Sequence, residues 1–289
     1  MALTKTEWLA LEKKANELRN LCLDTTFWAG SGHIGGGMSV MDMLTILYHK
    51  YMHIKLDDPN WEDRDRLILS KGHAGIAYAP VLCDLGYNDP EQLKTFNLTN
   101  SKMGIHLDSN KVVGVDASTG SLGHGLSIAL GTGLAATVLG KDYKTFCILG
   151  DGECDEGSNW EAAMAITGFK AKNVISFVDR NKCMIDGRTE DVMPLEPFAD
   201  KWRAFGFHVI EVDGHNLNEL SEAIDYALGD PDAPVMIIAD TIKGAGIDFM
   251  EDDYHWHYGA IDEGKYNEAK ASLQKYYEKR CARAEKEGK

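Results

Sequence analysis

The chain has 289 residues, 44% of them hydrophobic, and a formal net charge of −15, enough apolar chain for one large core, or one large domain with an appendage. The acidic balance excludes the basic stripe that nucleic-acid binding needs. The N-terminus lacks the charged-then-apolar run of a signal peptide. The six cysteines (Cys22, Cys83, Cys147, Cys154, Cys183, Cys281) form no C-x-x-C pair and no zinc spacing, so reduced thiols in a cytoplasmic protein are expected.

In chain order, Leu11, Leu18 and Leu21 predict a helix over roughly 6–29. The segment 30–37 places five glycines in eight residues and predicts a loop. A second helix is expected over roughly 39–51, with Ser39 as its N-cap. From Ser121 to Gly140 there is no formally charged residue, a length that could span a bilayer. The stretch is rich in Gly, Ser and Thr and contains His124. A buried helix of a soluble protein, its small residues allowing close packing, is therefore expected, and no membrane contact.

Short apolar runs predict strands at 145–149, 174–178, 207–212 and 235–239, with helices at 159–169 and 217–228 between them. This β-α-β-α-β order implies an α/β fold, a parallel sheet with helices on both faces. Ligands in such sheets sit beyond the C-terminal strand ends. The loops after Leu149, Val178 and Ala239 are where chemistry is expected.

Gly150-Asp151-Gly152-Glu153 directly follows the first of these strands, and Asp179-Arg180-Asn181 ends the next. One crossover brings Asp151 and Asn181 to neighbouring strand ends. Gly152 lets the backbone approach a ligand, and the following helix points its N-terminus at the same place, which favours phosphate. A carboxylate with an amide oxygen suits Mg²⁺ or Ca²⁺, and the Cys183 carbonyl can supply a third protein oxygen.

Gly150-Asp151-Gly152 through Asp179-Arg180-Asn181 resembles the thiamine-diphosphate fingerprint. The run 150–157, with Glu161 and Ala162 after it, and the run 181–187 are similar to transketolase in particular. The likeness extends from about Leu18 to Ile261. It implies the thiamine-diphosphate-binding fold, a diphosphate-binding domain at 1–261 and a helical tail or linker remnant at 262–289. It also implies thiamine diphosphate and Mg²⁺ (or Ca²⁺) as cofactors, with Gly150, Asp151, Gly152, Asn181 and Ile185 near the cofactor.

By the same resemblance, His33, His73, His106 and His257 match active-site histidines that bond sugar hydroxyls and cofactor diphosphate and relay protons. Gly120 and Leu122 match cofactor contacts beside the aminopyrimidine. The family's usual Pro and Gln are Ser121 and His124 here, and His124 fits cofactor contact and helix packing equally. Ile34 stands where the family has Pro after the first histidine. Glu156 and Glu161 match glutamates at the interface between two cofactor sites of the family's dimer; as first-turn acids they would also suit a helix dipole.

The family's activating glutamate belongs to a C-terminal pyrimidine-binding domain. Beyond Ile261 only 28 residues remain, too few for a domain. The resemblance therefore implies the N-terminal subunit of a split transketolase. Such an enzyme transfers a two-carbon ketol unit from a ketose (phosphate) to an aldose (phosphate), and this chain is expected to act only with a C-terminal partner. A two-plus-two heterotetramer is expected, with self-association through the diphosphate-binding domain. The alternatives are dihydroxyacetone synthase, deoxyxylulose-phosphate synthase and a non-catalytic partner subunit. Pentose phosphates, branched-sugar phosphates and sulfosugars all remain open as substrates.

Overall fold

The computed structural model describes residues 2–289. Helix α1, Lys5–Ala29, starts at a capping box in which Thr4 and Glu7 satisfy each other's backbone N–H groups. It ends at Gly30, whose φ of 73° is the left-handed C-cap conformation. Helix α2, Ile34–Ile46, continues into a single π turn, Leu47–Tyr51. Then follow β1 (Arg66–Leu69), α3 (Gly75–Asp84), α4 (Gly125–Leu139), β2 (Thr145–Gly150), α5 (Gly157–Gly168) and β3 (Val174–Arg180). The chain closes with α6 (Thr189–Val192), α7 (Phe198–Ala204), β4 (His208–Asp213), α8 (Leu217–Leu228), β5 (Val235–Asp240) and α9 (Glu263–Glu287).

The five strands form one parallel sheet in the order β1-β2-β3-β5-β4. Side chains alternate across it with the strand period of two. Phe146, Ile148, Ile175 and Phe177 enter one core with α1, α2, α3, α8 and α9. Cys147, Leu149, Val174 and Val178 enter a second with α4, α5 and α7. The α/β fold with helices on both faces is thus the one expected. Strand β1 is not anticipated from sequence: four residues flanked by charge give too short a periodic signal.

Local expectations are corrected at several points. Ser39 is not an N-cap: α2 begins five residues earlier, with His33 at its cap, and Ser39 donates from inside the helix to Asp179 at 2.6 Å. The glycines 35–37 are helical, and their purpose is close approach. A Cβ on Gly35 would lie 2.5 Å from the Trp256 carbonyl oxygen, and one on Gly37 would lie 2.9 Å from Ile76. The uncharged stretch 121–140 is only half buried: Leu126, Ala129, Leu130, Gly133 and Ala136 face the core of α4, while Val138 is 84% and Leu139 64% exposed. No helix among the described residues is long and apolar enough to cross a membrane. A 3₁₀ turn, Gly152–Asp155, separates Asp151 from α5, so that helix does not follow the motif directly.

The last segment is helix α9, Glu263–Glu287, capped by Asp262, with Ala269, Leu273 and Ala284 buried against the α1 side of the core. Arg280 reaches Glu12 and Asp42 in the interior.

Candidate active site

Four strands deliver the site at their C-terminal ends. Because Gly150 pairs with Asp179, Asp151 and Asn181 emerge side by side from β2 and β3. Ser70, Lys71 and His73 leave β1, and Thr241 and Lys243 leave β5. Lys71, His73, Asp151, Asn181 and Lys243 among them border a cavity of ≈ 300 Å³. It is lined by His33, His73, His106, His257, Gly120, Leu122, Gly150, Asp151, Gly152, Asn181, Cys183 and Ile185, all of them singled out in the sequence. Gly36, Lys71, Glu153, Met184 and Lys243 complete it. Glu156 lies outside the lining, exposed at the N-cap of α5, and Glu161 is exposed on the same helix. His124, the residue before α4, is exposed and also outside the lining.

The four histidines come from four separate segments. The His33 ring centroid lies 5.2 Å from His73, 5.3 Å from His257 and 6.4 Å from His106, and His73 stacks on His257 at 5.2 Å. Burial pushes His33 down to about 4, with His106, Lys243 and Lys71 adding to the effect, and pushes His257 down to about 3. His73 is held well below its ordinary value by burial and by Lys71, and burial alone lowers His106. The cluster is therefore neutral at pH 7, each ring carrying one donor and one acceptor. His33 Nδ1 is buried with no partner, the kind of orphan a hydroxyl-bearing ligand would satisfy. Gly120, at φ 146°, leaves room for the ring of His106: a Cβ there would lie 2.7 Å from it.

Beneath the histidines lie buried charges. Lys71 pairs with Asp179 and donates to the Gly36 carbonyl at 3.1 Å. Burial works against the Asp179 carboxylate, yet Lys71 with Ser39 and Thr241 holds it below the usual range. Lys243 has no such carboxylate: its Nζ donates to the Cys183 carbonyl at 2.9 Å and the Met184 carbonyl at 3.3 Å, and lies 3.0 Å from His257 Nδ1. Burial, with Lys71 nearby, pushes it down to about 8. Asp151 accepts from the Gly152 and Lys182 N–H groups and from Arg180; burial still raises its carboxyl above the ordinary value. Glu153 accepts from Ser70 and from the Gly123 and Gly150 N–H groups, tying the 120–123 loop to both strand ends.

Comparison with known proteins decides the family. Residues 11–280 match the family described as transketolase, thiamine diphosphate binding domain. This chain belongs to the transketolase family. It is 42% identical over 265 residues to the 6-deoxy-6-sulfo-D-fructose transketolase subunit SqwG of Clostridium sp. (strain MSTE9), covering 92% of this chain and 96% of that one. It is 37% identical to an apulose-4-phosphate transketolase subunit of Phocaeicola vulgatus, covering 93% and 95%. Human transketolase is 36% identical over 86% of this chain, which spans 39% of that longer protein. In structure, a transketolase variant from Pichia stipitis superposes with a TM-score of 0.85 at 27% identity, over 96% of this chain and 44% of its own.

For a transketolase domain, the two lysines are the residues missed from sequence. Lys71 stands two residues before His73, and Lys243 lies in the loop after β5, where ligands were expected; neither has a motif of its own. For Lys243 the signal available was a basic residue in the loop beyond an expected strand; for Lys71, which follows the unanticipated β1, there was none.

Proposed function

We propose that this chain is the N-terminal, diphosphate-binding subunit of a two-chain transketolase, transferring a two-carbon ketol unit from a ketose (phosphate) to an aldose (phosphate). The observation that carries the reading is the cavity: four neutral histidines above, two buried lysines and Asp151 with Asn181 below.

The residues fit a diphosphate ester with a divalent cation. Lys243 is a buried ammonium bonded only to neutral acceptors, which suits an incoming anion. Asp151 and Asn181 offer hard oxygens for Mg²⁺ (or Ca²⁺). No three His, Cys, Asp or Glu side chains converge on a metal site among the described residues, so beyond the Asp151 carboxylate a metal here relies on amide, carbonyl and ligand oxygens. The third proposed ligand, the Cys183 carbonyl, already accepts from Lys243. A dication beside that ammonium requires a polyanion between them, so metal and diphosphate bind as one unit. Leu122, Met184 and Ile185 supply apolar contact for an aromatic ring. Bound thiamine diphosphate would supply the nucleophilic carbon and electron sink for the two-carbon unit. His33, His73, His106 and His257 orient the sugar through its hydroxyls and move protons at the ring nitrogens; their neutrality lets each donate and accept.

The partner reading draws on the relatives named as subunits, which this chain matches over almost their whole length. Val138 and Leu139 on α4 and Met164 and Phe169 at α5, on two helices that pack together, are exposed apolar residues that suit self-association in a two-plus-two assembly. All six cysteines are unpaired, in keeping with a cytoplasmic enzyme. A sulfonated ketose and a branched-sugar phosphate, after the names of the relatives, join pentose phosphates as donors to assay. The alternative thiamine enzymes and a non-catalytic subunit have no observation in their favour.

The test is ketol transfer measured with Mg²⁺, thiamine diphosphate and that donor panel, with and without a co-purified pyrimidine-binding chain. Activity is expected only in the mixture. Robust turnover by this chain alone, verified by mass spectrometry, would remove the two-chain reading.

A further inference from the structure

We infer that His215 is a positioning residue for the cavity, holding the segment that carries Lys243 through the backbone N–H of Ile242. His215 lies on the turn between β4 and α8, outside the cavity lining. Its Nε2 is 2.9 Å from the Ile242 nitrogen and its Nδ1 2.8 Å from Asp42 Oδ2. A backbone N–H can only donate, so Nε2 accepts. The ring proton is therefore on Nδ1 and donates to Asp42.

Both ends of this bridge are fixed. Asp42 is fully buried in α2 and also accepts from Arg19 of α1 and Arg280 of α9. The turn bearing His215 is seated on the end of β5. Gly214 donates to the Asp240 carbonyl at 2.8 Å, and a Cβ at Gly214 would come 2.4 Å from Thr241. On the other side, Thr241 is held by the Arg180 carbonyl and by Asp179, and Gly244 donates to the Gly35 carbonyl at 3.0 Å. Ile242 is the residue between these anchors and Lys243, and its N–H has His215 as its partner. The path thus runs from the C-terminal helix through Arg280, Asp42 and His215 to the cavity floor. Helix α9 is part of the support of the site, 238 residues from Asp42 in sequence.

Two substitutions separate the two bonds of the ring. In His215→Gln the side-chain oxygen reaches as far as Nε2 and can still accept from Ile242. In His215→Asn the amide reaches only as far as Nδ1 and keeps the contact with Asp42. The readouts are hydrogen exchange of the 241–250 segment in the unliganded chain and calorimetric affinity for thiamine diphosphate with Mg²⁺. His215→Asn should speed exchange at Ile242 and weaken cofactor affinity about tenfold, as loss of a supporting hydrogen bond does at other ligand sites. His215→Gln, which keeps the acceptor for Ile242 but loses the Asp42 anchor, should be impaired in both, and less than His215→Asn. The opposite pattern, or equal impairment in both variants, would reduce His215 to a packing residue and overturn the inference. The affinity arm rests on the proposed cofactor reading; the exchange arm does not. If the wild type bound no thiamine diphosphate, that reading would fail while the exchange comparison still decided the role of His215.

Discussion

Two regions of this molecule bury cations, and they treat them in opposite ways. Between α1, α2 and α9, Arg19 and Arg280 face Asp42 and Glu12, two positive charges against two negative. Burial opposes their charge most strongly, but Asp42 and Tyr276, with Glu12 for Arg280, together outweigh it and hold both guanidiniums above their ordinary value. At the cavity, Lys243 is as deeply buried, yet its partners are two carbonyls and an imidazole, and it is pushed down to about 8. The first arrangement is closed and fastens a helix; the second lacks an anion. A fold that can pair its buried charges and leaves one unpaired at a cavity marks where a ligand's charge belongs.

The comparison is most sharply tested at Arg280. Arg280→Ala would leave the Glu12 carboxylate, 3% exposed, without the cation it faces. Removing one partner of a buried pair costs about 3–5 kcal/mol. Urea unfolding should show a loss of that size. A loss under about 1 kcal/mol would mean that water reaches the cluster and that it is not closed.

At Lys243 the effect should move from stability to binding. Lys243→Met removes an ammonium without a counter-ion, while two carbonyls lose a donor; these oppose each other. The unfolding midpoint should therefore change little. Affinity for thiamine diphosphate with Mg²⁺ should fall about 10- to 100-fold by calorimetry, as expected for a charge-assisted contact to phosphate. Destabilisation as large as that in Arg280→Ala, with affinity unchanged, would make Lys243 a second structural cation and abolish the contrast.

How far each region was legible in the sequence follows from the kind of signal each leaves. The cavity was readable where glycine and a motif fix the backbone: Gly150-Asp151-Gly152, Asn181 and the four histidines all reach it. The charge cluster was not. Glu12, Arg19, Asp42 and Arg280 on helices and His215 on a turn are scattered along the chain, and in sequence they look like ordinary solvated positions. Only the packing of α2 and α9 on α1, and of α8 on α2, brings them together. The same difficulty applies to β1, four residues whose parallel partner begins 79 positions away at Thr145. Ser39 misled for a local reason. A serine after glycines has the composition of a helix start, but the glycines are there so that α2 can lie against Trp256 and Ile76.

The smallest effect expected is in acid, and it tests whether the histidines are neutral because they are buried. His33 and His257 titrate near 4 and 3 in the folded chain, against 6.5 for an ordinary imidazole. Between those values the unfolded chain binds protons that the folded chain does not. Their contribution to stability is therefore intact above about pH 6.5 and is lost as pH falls towards 4 and then 3. Asp151 and Glu153, whose carboxyls burial raises, act with the opposite sign, so the total profile mixes both. The informative quantity is the difference between wild type and His33→Asn, taken from urea midpoints at steps between pH 7 and 4. Asparagine does not titrate, so the variant should lose stability less steeply on acidification, by at most about one proton's slope. At pH 7 the two proteins should differ little, because the Nδ1 of His33 has no partner to lose. Parallel profiles would mean that His33 takes up its proton equally in both states. The neutral histidine cluster, and with it the contrast between an open site and a closed ion cluster, would then fail.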